Sequence, residues 1–140
     1  MYHPRFKGRH YDIGFRFGSI LKRNNIELKG IEELDEFQLN YGAESEKILR
    51  QYFPEACDEI KGIADGLNVI YEKIAPWMMC ISVCLEIQGC SMIALKKDGK
   101  VIFGRNNDLP PLFRKISSSS LYKPANGYSL LSSLTFTLLS

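Results

Sequence analysis

The side chains best suited to nucleophilic chemistry are four thiols, at Cys57, Cys80, Cys84 and Cys90; the two histidines, His3 and His10, lie far upstream of the last three. A free cysteine is ordinarily a small buried hydrophobe, so a thiol is informative only where its surroundings favour the thiolate. Cys90 has such surroundings. It follows Gly89 and opens the run Cys-Ser-Met-Ile-Ala-Leu-Lys-Lys, which leads through Asp98-Gly99 into Lys-Val-Ile-Phe-Gly-Arg-Asn-Asn. Asp-Gly between two such runs predicts a hairpin with a two-residue turn. That turn pairs Lys97 with Lys100, Met92 with Arg105 and Cys90 with Asn107. Arg105 becomes a diagonal neighbour of Cys90, at roughly 7–8 Å between backbones. A guanidinium there favours the thiolate and lowers the thiol pKa. Asp108 falls on the opposite face by strict alternation, so recruiting it takes a bulge or a break after Asn107, and Leu109-Pro110-Pro111 is the place for one. Met92, Ala94, Val101 and Phe103 are expected to carry the single apolar face of the hairpin.

The competing uses of these thiols are weaker. No Cys-x-x-Cys pair exists and the histidines are remote in sequence, which argues against zinc; reduced thiols are expected in a chain with its own core. A thiol redox or metal protein built on Cys80, Cys84 and Cys90 is the lesser alternative, and a non-catalytic structural or interaction domain that keeps the hairpin is the other. Eighteen basic against 16 acidic side chains leave a net charge of +2, too small a field to argue for nucleic acid. The opening residues carry charge and Pro4 rather than an apolar signal core, and residues 69–87 contain Glu72, Lys73, Pro76 and Glu86, a buried helix rather than a membrane span. The expectation is a cytoplasmic protein with no membrane partner.

The elements that must hold the hairpin are helical. Tyr11, Ile13, Phe15, Phe17, Ile20 and Leu21 predict a helix ending at Lys22-Arg23, and Gly14 and Gly18 share one of its faces, which predicts a second backbone packed closely there. Ile31, Leu34, Phe37 and Tyr41, then Ile48, Leu49, Tyr52 and Phe53, predict two amphipathic helices separated at Gly42. Pro54 suits a first helical position, with Glu55, Asp58 and Glu59 at the positive end of the dipole. Ala56, Ile60, Ile63, Ala64 and Leu67 form its apolar stripe, closed by Gly66 and Asn68. Tyr71 to Leu85 continue as a helix with Trp77, Met78 and Met79 in the core. Residues 2–9 are short and mixed, Ser117 to Ser120 read as a polar loop, and the tail after them has no clear period.

Gly89-Cys90-Ser91, Asp98-Gly99 and Gly104-Arg105-Asn106-Asn107-Asp108 together resemble the start of the catalytic chain in cysteine N-terminal-nucleophile hydrolases. The resemblance is to the penicillin acyltransferase-like peptidase family (peptidase C45), with choloylglycine hydrolases more distant. Phe6-Lys7-Gly8, Tyr11-Asp12-Ile13-Gly14 and Gly18, together with Phe53-Pro54-Glu55 and Glu59-Ile60-Lys61-Gly62-Ile63-Ala64-Asp65-Gly66, are similar to the leading chain of that branch. The resemblance spans residues 6 to about 124.

It implies an α+β fold: residues 1–89 as a helical leading segment and residues 90–140 as the start of the catalytic chain, whose hairpin is the first of an αββα sandwich. It implies self-cleavage between Gly89 and Cys90, after which Cys90 is both nucleophile and new N-terminus, with Arg105 and Asp108 steadying its thiol and amine. A free α-amine titrates at about 7.7–8.0, so it can serve as general base for its own thiol, and no histidine is required. The implied activity is hydrolysis or acyl transfer at linear non-peptide amide bonds of a small-molecule substrate or acyl donor, without cofactor or metal. A homo-oligomer of the complete protein is compatible with this. In the family an asparagine from later strands completes the oxyanion hole; Asn106, Asn107 and Asn126 do not match it, so the chain ending at Ser140 is expected to be a truncated member, inactive alone.

Overall fold

Two helices carry paired glycines four residues apart, and this spacing sets how closely the core closes. In the computed structural model, which describes residues 4–26, 28, 31–84, 90–107 and 117–135, these are α1 (His10–Arg23) and α3 (Pro54–Leu67). A Cβ at Gly14 would stand 2.0 Å from the Glu59 carbonyl oxygen and one at Gly18 2.4 Å from that of Ile63. In return, Gly62 and Gly66 leave room for the Tyr11 and Phe15 carbonyls, at 2.1 and 2.4 Å from a built Cβ. The two backbones therefore touch, as the Gly14 and Gly18 spacing predicts, and Gly66 serves the same contact rather than ending α3. The helix ends instead at Asn68, left-handed at φ 64°. A methyl group at Gly14 has no space unless the helices part. Gly14→Ala is expected to cost about 3 kcal/mol, read from the urea midpoint, whereas a change below about 0.5 kcal/mol would show that the pair separates freely.

The core beside this contact is Ile13, Ile60, Ile63, Ala64, Ile74, Ala75, Trp77 and Met78. The last four belong to α4 (Tyr71–Cys84), so Trp77 and Met78 are core, as expected. α2 (Glu36–Tyr52) corrects the reading of two helices: it runs unbroken through Gly42. Asp35 caps it reciprocally with Gln38, the Gln38 amide donating to Asp35 Oδ1 at 2.7 Å and the Asp35 amide to Gln38 Oε1 at 3.0 Å. Gly42 is a packing site; a Cβ there would meet Pro76 of α4 at 2.4 Å. Ile31 and Leu34 precede the helix and lean on the core, while Phe37, Ile48, Tyr52 and Phe53, expected on a core-facing stripe, are all more than 60% exposed. Packing at Gly42 and Leu49 turns a different side of α2 inward.

Three strands join the helices. β1 (Arg5–Gly8) pairs in parallel with β4 (Ser117–Pro124), and β4 pairs antiparallel with β5 (Leu130–Thr135), in the order β1-β4-β5. The serine run is thus a strand, not a loop, and the mixed segment before α1 and part of the tail are strands too. Alternation explains it: Ser120 and Tyr122 are buried while Lys123 is exposed, so the small hydroxyls fit a half-buried sheet face. Phe6 faces Tyr122 across β1 and β4, with ring centroids 5.2 Å apart, and is 1% exposed. The Leu121 amide donates to the Pro4 carbonyl at 3.0 Å and the Ala125 amide to that of Gly8 at 2.8 Å, extending the ladder at both ends. β2 (Cys90–Lys97) and β3 (Lys100–Asn107) form a separate two-stranded sheet. The class is α+β, with four helices and two small sheets among the described residues. None of these helices is long and apolar enough to cross a membrane.

Candidate active site

Asp98 and Gly99 both take positive φ, 50° and 72°, which is the two-residue turn whose twist matches a hairpin. The ladder then runs as the turn dictates: Lys97 opposite Lys100, Met92 opposite Arg105, Cys90 opposite Asn107. Arg105 therefore stands at the diagonal register position from Cys90, and its residue is exposed. Gly89 and Asp108, named as the cleavage and assisting residues, lie outside the described residues, as do Pro110 and Pro111.

One expectation about the hairpin is corrected. Its register puts Met92, Ala94, Val101 and Phe103 on one face, but Ile93, Leu95 and Ile102 on the other, and these side chains are exposed on both faces. Alternation alone requires it, because Met-Ile-Ala-Leu and Val-Ile-Phe are continuous apolar runs. Strands of that kind are found between two covering layers, not at a half-solvated surface.

Neither of the two thiols with described side chains is a rival nucleophile. Cys57 is buried, and burial pushes its thiol pKa up, away from the thiolate. Cys80 is buried and donates to the Trp77 carbonyl at 3.6 Å. Cys57 lies under an open groove of about 750 Å³ between α3 and α4, lined also by Arg50, Lys61, Asp65 and Tyr71. Several of the groove's polar groups are paired. Arg50 donates to Glu46 at 2.6 Å, the Tyr71 hydroxyl donates to the same oxygen at 2.9 Å, and Asp65 accepts from Lys61 at 2.7 Å and Tyr11 at 2.8 Å. No cluster of three or more histidine, cysteine or acidic residues able to hold a metal ion occurs among the described residues.

A second polar feature escaped the sequence reading. Glu59, assigned above to the helix dipole, lies beyond the first turn of α3 and is buried, its carboxylate 3.3 Å from His10 Nδ1 on α1. Desolvation pushes its carboxyl pKa up, and the bond to His10 opposes this in part. The Ser120 and Tyr122 hydroxyls are buried and have no hydrogen-bond partner among the described residues. Burial first, and the charge of Glu59 second, raise the Tyr122 phenol pKa. The signal for Glu59 was an acid inside an apolar stripe, three residues before the packing glycine Gly62. A carboxyl whose folded pKa is raised contributes stability below its unfolded value, about 4.3, and loses it as pH climbs through the folded value. Urea midpoints measured across that range should decline with rising pH in the wild type. Glu59→Gln should flatten the decline and be at least as stable at neutral pH; an unaltered pH profile would sink this account.

No protein-family model matches the chain, and no curated protein matches it. The functional reading accordingly rests on the hairpin and its chemistry.

Proposed function

We propose that this chain belongs to an autoproteolytic cysteine N-terminal-nucleophile amide hydrolase or acyltransferase of the penicillin acyltransferase-like kind. The observation that carries the reading is the hairpin register, which aligns Cys90 with Asn107 and sets Arg105 on the diagonal. Two further observations support it. The hairpin is apolar on both faces, as a strand pair of an αββα sandwich must be. Cys57 and Cys80 are buried, leaving them no role as the nucleophile.

In this mechanism the Cys90 thiol attacks the Gly89 carbonyl, the peptide nitrogen takes the proton, and the acyl group moves onto sulfur. Water then hydrolyses the thioester, leaving a carboxylate on Gly89 and a free amine on Cys90. That amine, near its reference pKa of about 7.7–8.0, takes the thiol proton when the amide substrate arrives. Sulfur attacks the substrate carbonyl, the substrate C–N bond breaks, and the substrate's own amine leaves with the proton held by the Cys90 amine. The new thioester is resolved by water in hydrolysis or by an acceptor amine in acyl transfer. Arg105 holds the thiolate, and Asp108 orients the new amine. The segment 1–89 is the leading chain and 90–140 opens the catalytic chain; the substrate is a small linear amide or acyl donor, met in the cytoplasm.

The deciding experiment is intact mass and N-terminal sequencing of the protein expressed from its full open reading frame. It should yield a chain beginning Cys-Ser-Met-Ile; an uncut protein that nonetheless turns over amides would overturn the mechanism. Arg105→Leu should raise the pH at which Cys90 reacts with an alkylating reagent, because the charge favouring the thiolate is gone. An unmoved alkylation profile would make Arg105 an ordinary strand residue.

A further inference from the structure

Among the described residues, α2 is packed on one side only. Gly42 and Leu49 face the core, whereas Phe37, Tyr41, Ile48 and Tyr52 are 67, 40, 61 and 65% exposed. These four occupy one stripe, since steps of four, seven and four residues each return a helix to nearly the same side. Phe37 and Tyr41 already stack, with centroids 6.2 Å apart. The stripe is also its own reverse. About the point between Glu44 and Ser45, Phe37 is as far upstream as Tyr52 is downstream, and Tyr41 mirrors Ile48.

We infer that this face is the contact of a two-fold homodimer in which α2 packs antiparallel on α2 of a second copy. The axis passes at Glu44-Ser45. Phe37 then meets Tyr52 of the second copy and Tyr41 meets its Ile48, twice over, so no apolar side chain opposes a polar one. The charges agree with the same symmetry. Lys47 and Glu44, bonded at 2.5 Å within one helix and both 70% exposed, flank the stripe on one side beside the axis. Antiparallel packing brings like flanks together, so each Lys47 faces Glu44 of the second copy and the pairs join into a network of alternating sign. A parallel pairing would instead set Phe37 on Phe37 and Glu44 on Glu44. Aromatic side chains bury 150–250 Å² each when fully covered, so these partly exposed ones remove about 800 Å² of apolar surface over two copies. With the flanking polar residues this reaches the lower end of specific interfaces, about 1,200 Å².

The test uses the chain carrying Cys90→Ala, so that the outcome is independent of self-cleavage. A photoreactive phenylalanine analogue placed at position 37, in an equal mixture of ¹⁴N- and ¹⁵N-labelled copies, should cross-link to residues around Tyr52 of another copy. Tyr41→Lys and Ile48→Glu, both at exposed positions, should each weaken self-association at least about tenfold in sedimentation, and mixing the two should restore it to near the wild-type level. Cross-links confined to the same copy would mean that another part of the chain covers the face, and would overturn the dimer. So would a wild-type chain that is monomeric at about 100 μM, single variants that associate undiminished, or a mixture that stays dissociated.

Discussion

Cys90→Ala is expected to abolish both the cut behind Gly89 and amide turnover in the protein expressed from its full open reading frame. In the proposed mechanism the same sulfur is required twice, once on the Gly89 carbonyl and once on the substrate, and alanine supplies no electron pair for either step. Loss of a covalent nucleophile elsewhere costs on the order of 10⁶ in rate, so residual turnover should be near background. Cys80→Ala is the control, because that thiol is buried and bonded to the Trp77 carbonyl; it should lower stability modestly and leave the cut in place. Intact mass, N-terminal sequencing and release of amine from an acyl amide give the three readouts. Continued cutting in the Cys90→Ala protein would place the scission, and the nucleophile, elsewhere.

Phe6→Ala should destabilise the uncut protein by about 3–5 kcal/mol, the usual range for emptying a buried aromatic site. Phe6 is 1% exposed, packs on Tyr122 at 5.2 Å and on Phe17 at 6.1 Å, and anchors the strand that carries residues 5–8 into the sheet. In the proposed mechanism this contact would gain a second role: once the bond behind Gly89 was broken, the β1 and β4 ladder would join the two chains without a covalent link, with Phe6 and Tyr122 buried in that join. The cut Phe6→Ala protein should therefore separate into its two chains at a urea concentration where the wild type stays together, as seen by size exclusion. Tyr128→Ala, at a position 92% exposed, should change neither. If the cut Phe6→Ala chains remain associated as tightly as wild type, the ladder is not what holds them.

The most legible parts of this molecule in its sequence were those governed by local rules. Asp98-Gly99 has one favourable backbone solution, two left-handed residues, and that solution alone determines the register down to Cys90 and Asn107. Pro54 at the start of α3 and the glycine spacing of α1 were equally readable, because one depends on a fixed φ and the other on a missing Cβ. The Asp35 and Gln38 capping box was written in the sequence too, and overlooking it moved the start of α2 back to Ile31.

What failed was the inward face of α2, although that of α3, with Ile60, Ile63, Ala64 and Leu67 buried, followed its apolar stripe. Phe37, Tyr41, Ile48 and Tyr52 satisfy helical periodicity whether they face a core or solvent, and only the fit of Gly42 against Pro76 turns α2 the other way. Gly42 itself looked like a break because the cost of glycine in a helix is local, while the contact that repays it comes from α4. The serine run looked like a loop because hydroxyls are polar, yet pairing with β1, more than a hundred positions upstream, makes it a strand with Ser120 and Tyr122 inside. Glu59 likewise belongs to the core only because α1 carries His10 over it. Turn chemistry, the fixed φ of Pro54 and the glycine spacing of α1 thus determined the hairpin register and two of the helices from the sequence alone, since each depends on neighbours a few bonds away. The inward face of α2, the β1 and β4 pairing and the buried Glu59 were decided by tertiary structure, because burial there depends on distant segments whose approach no local pattern encodes.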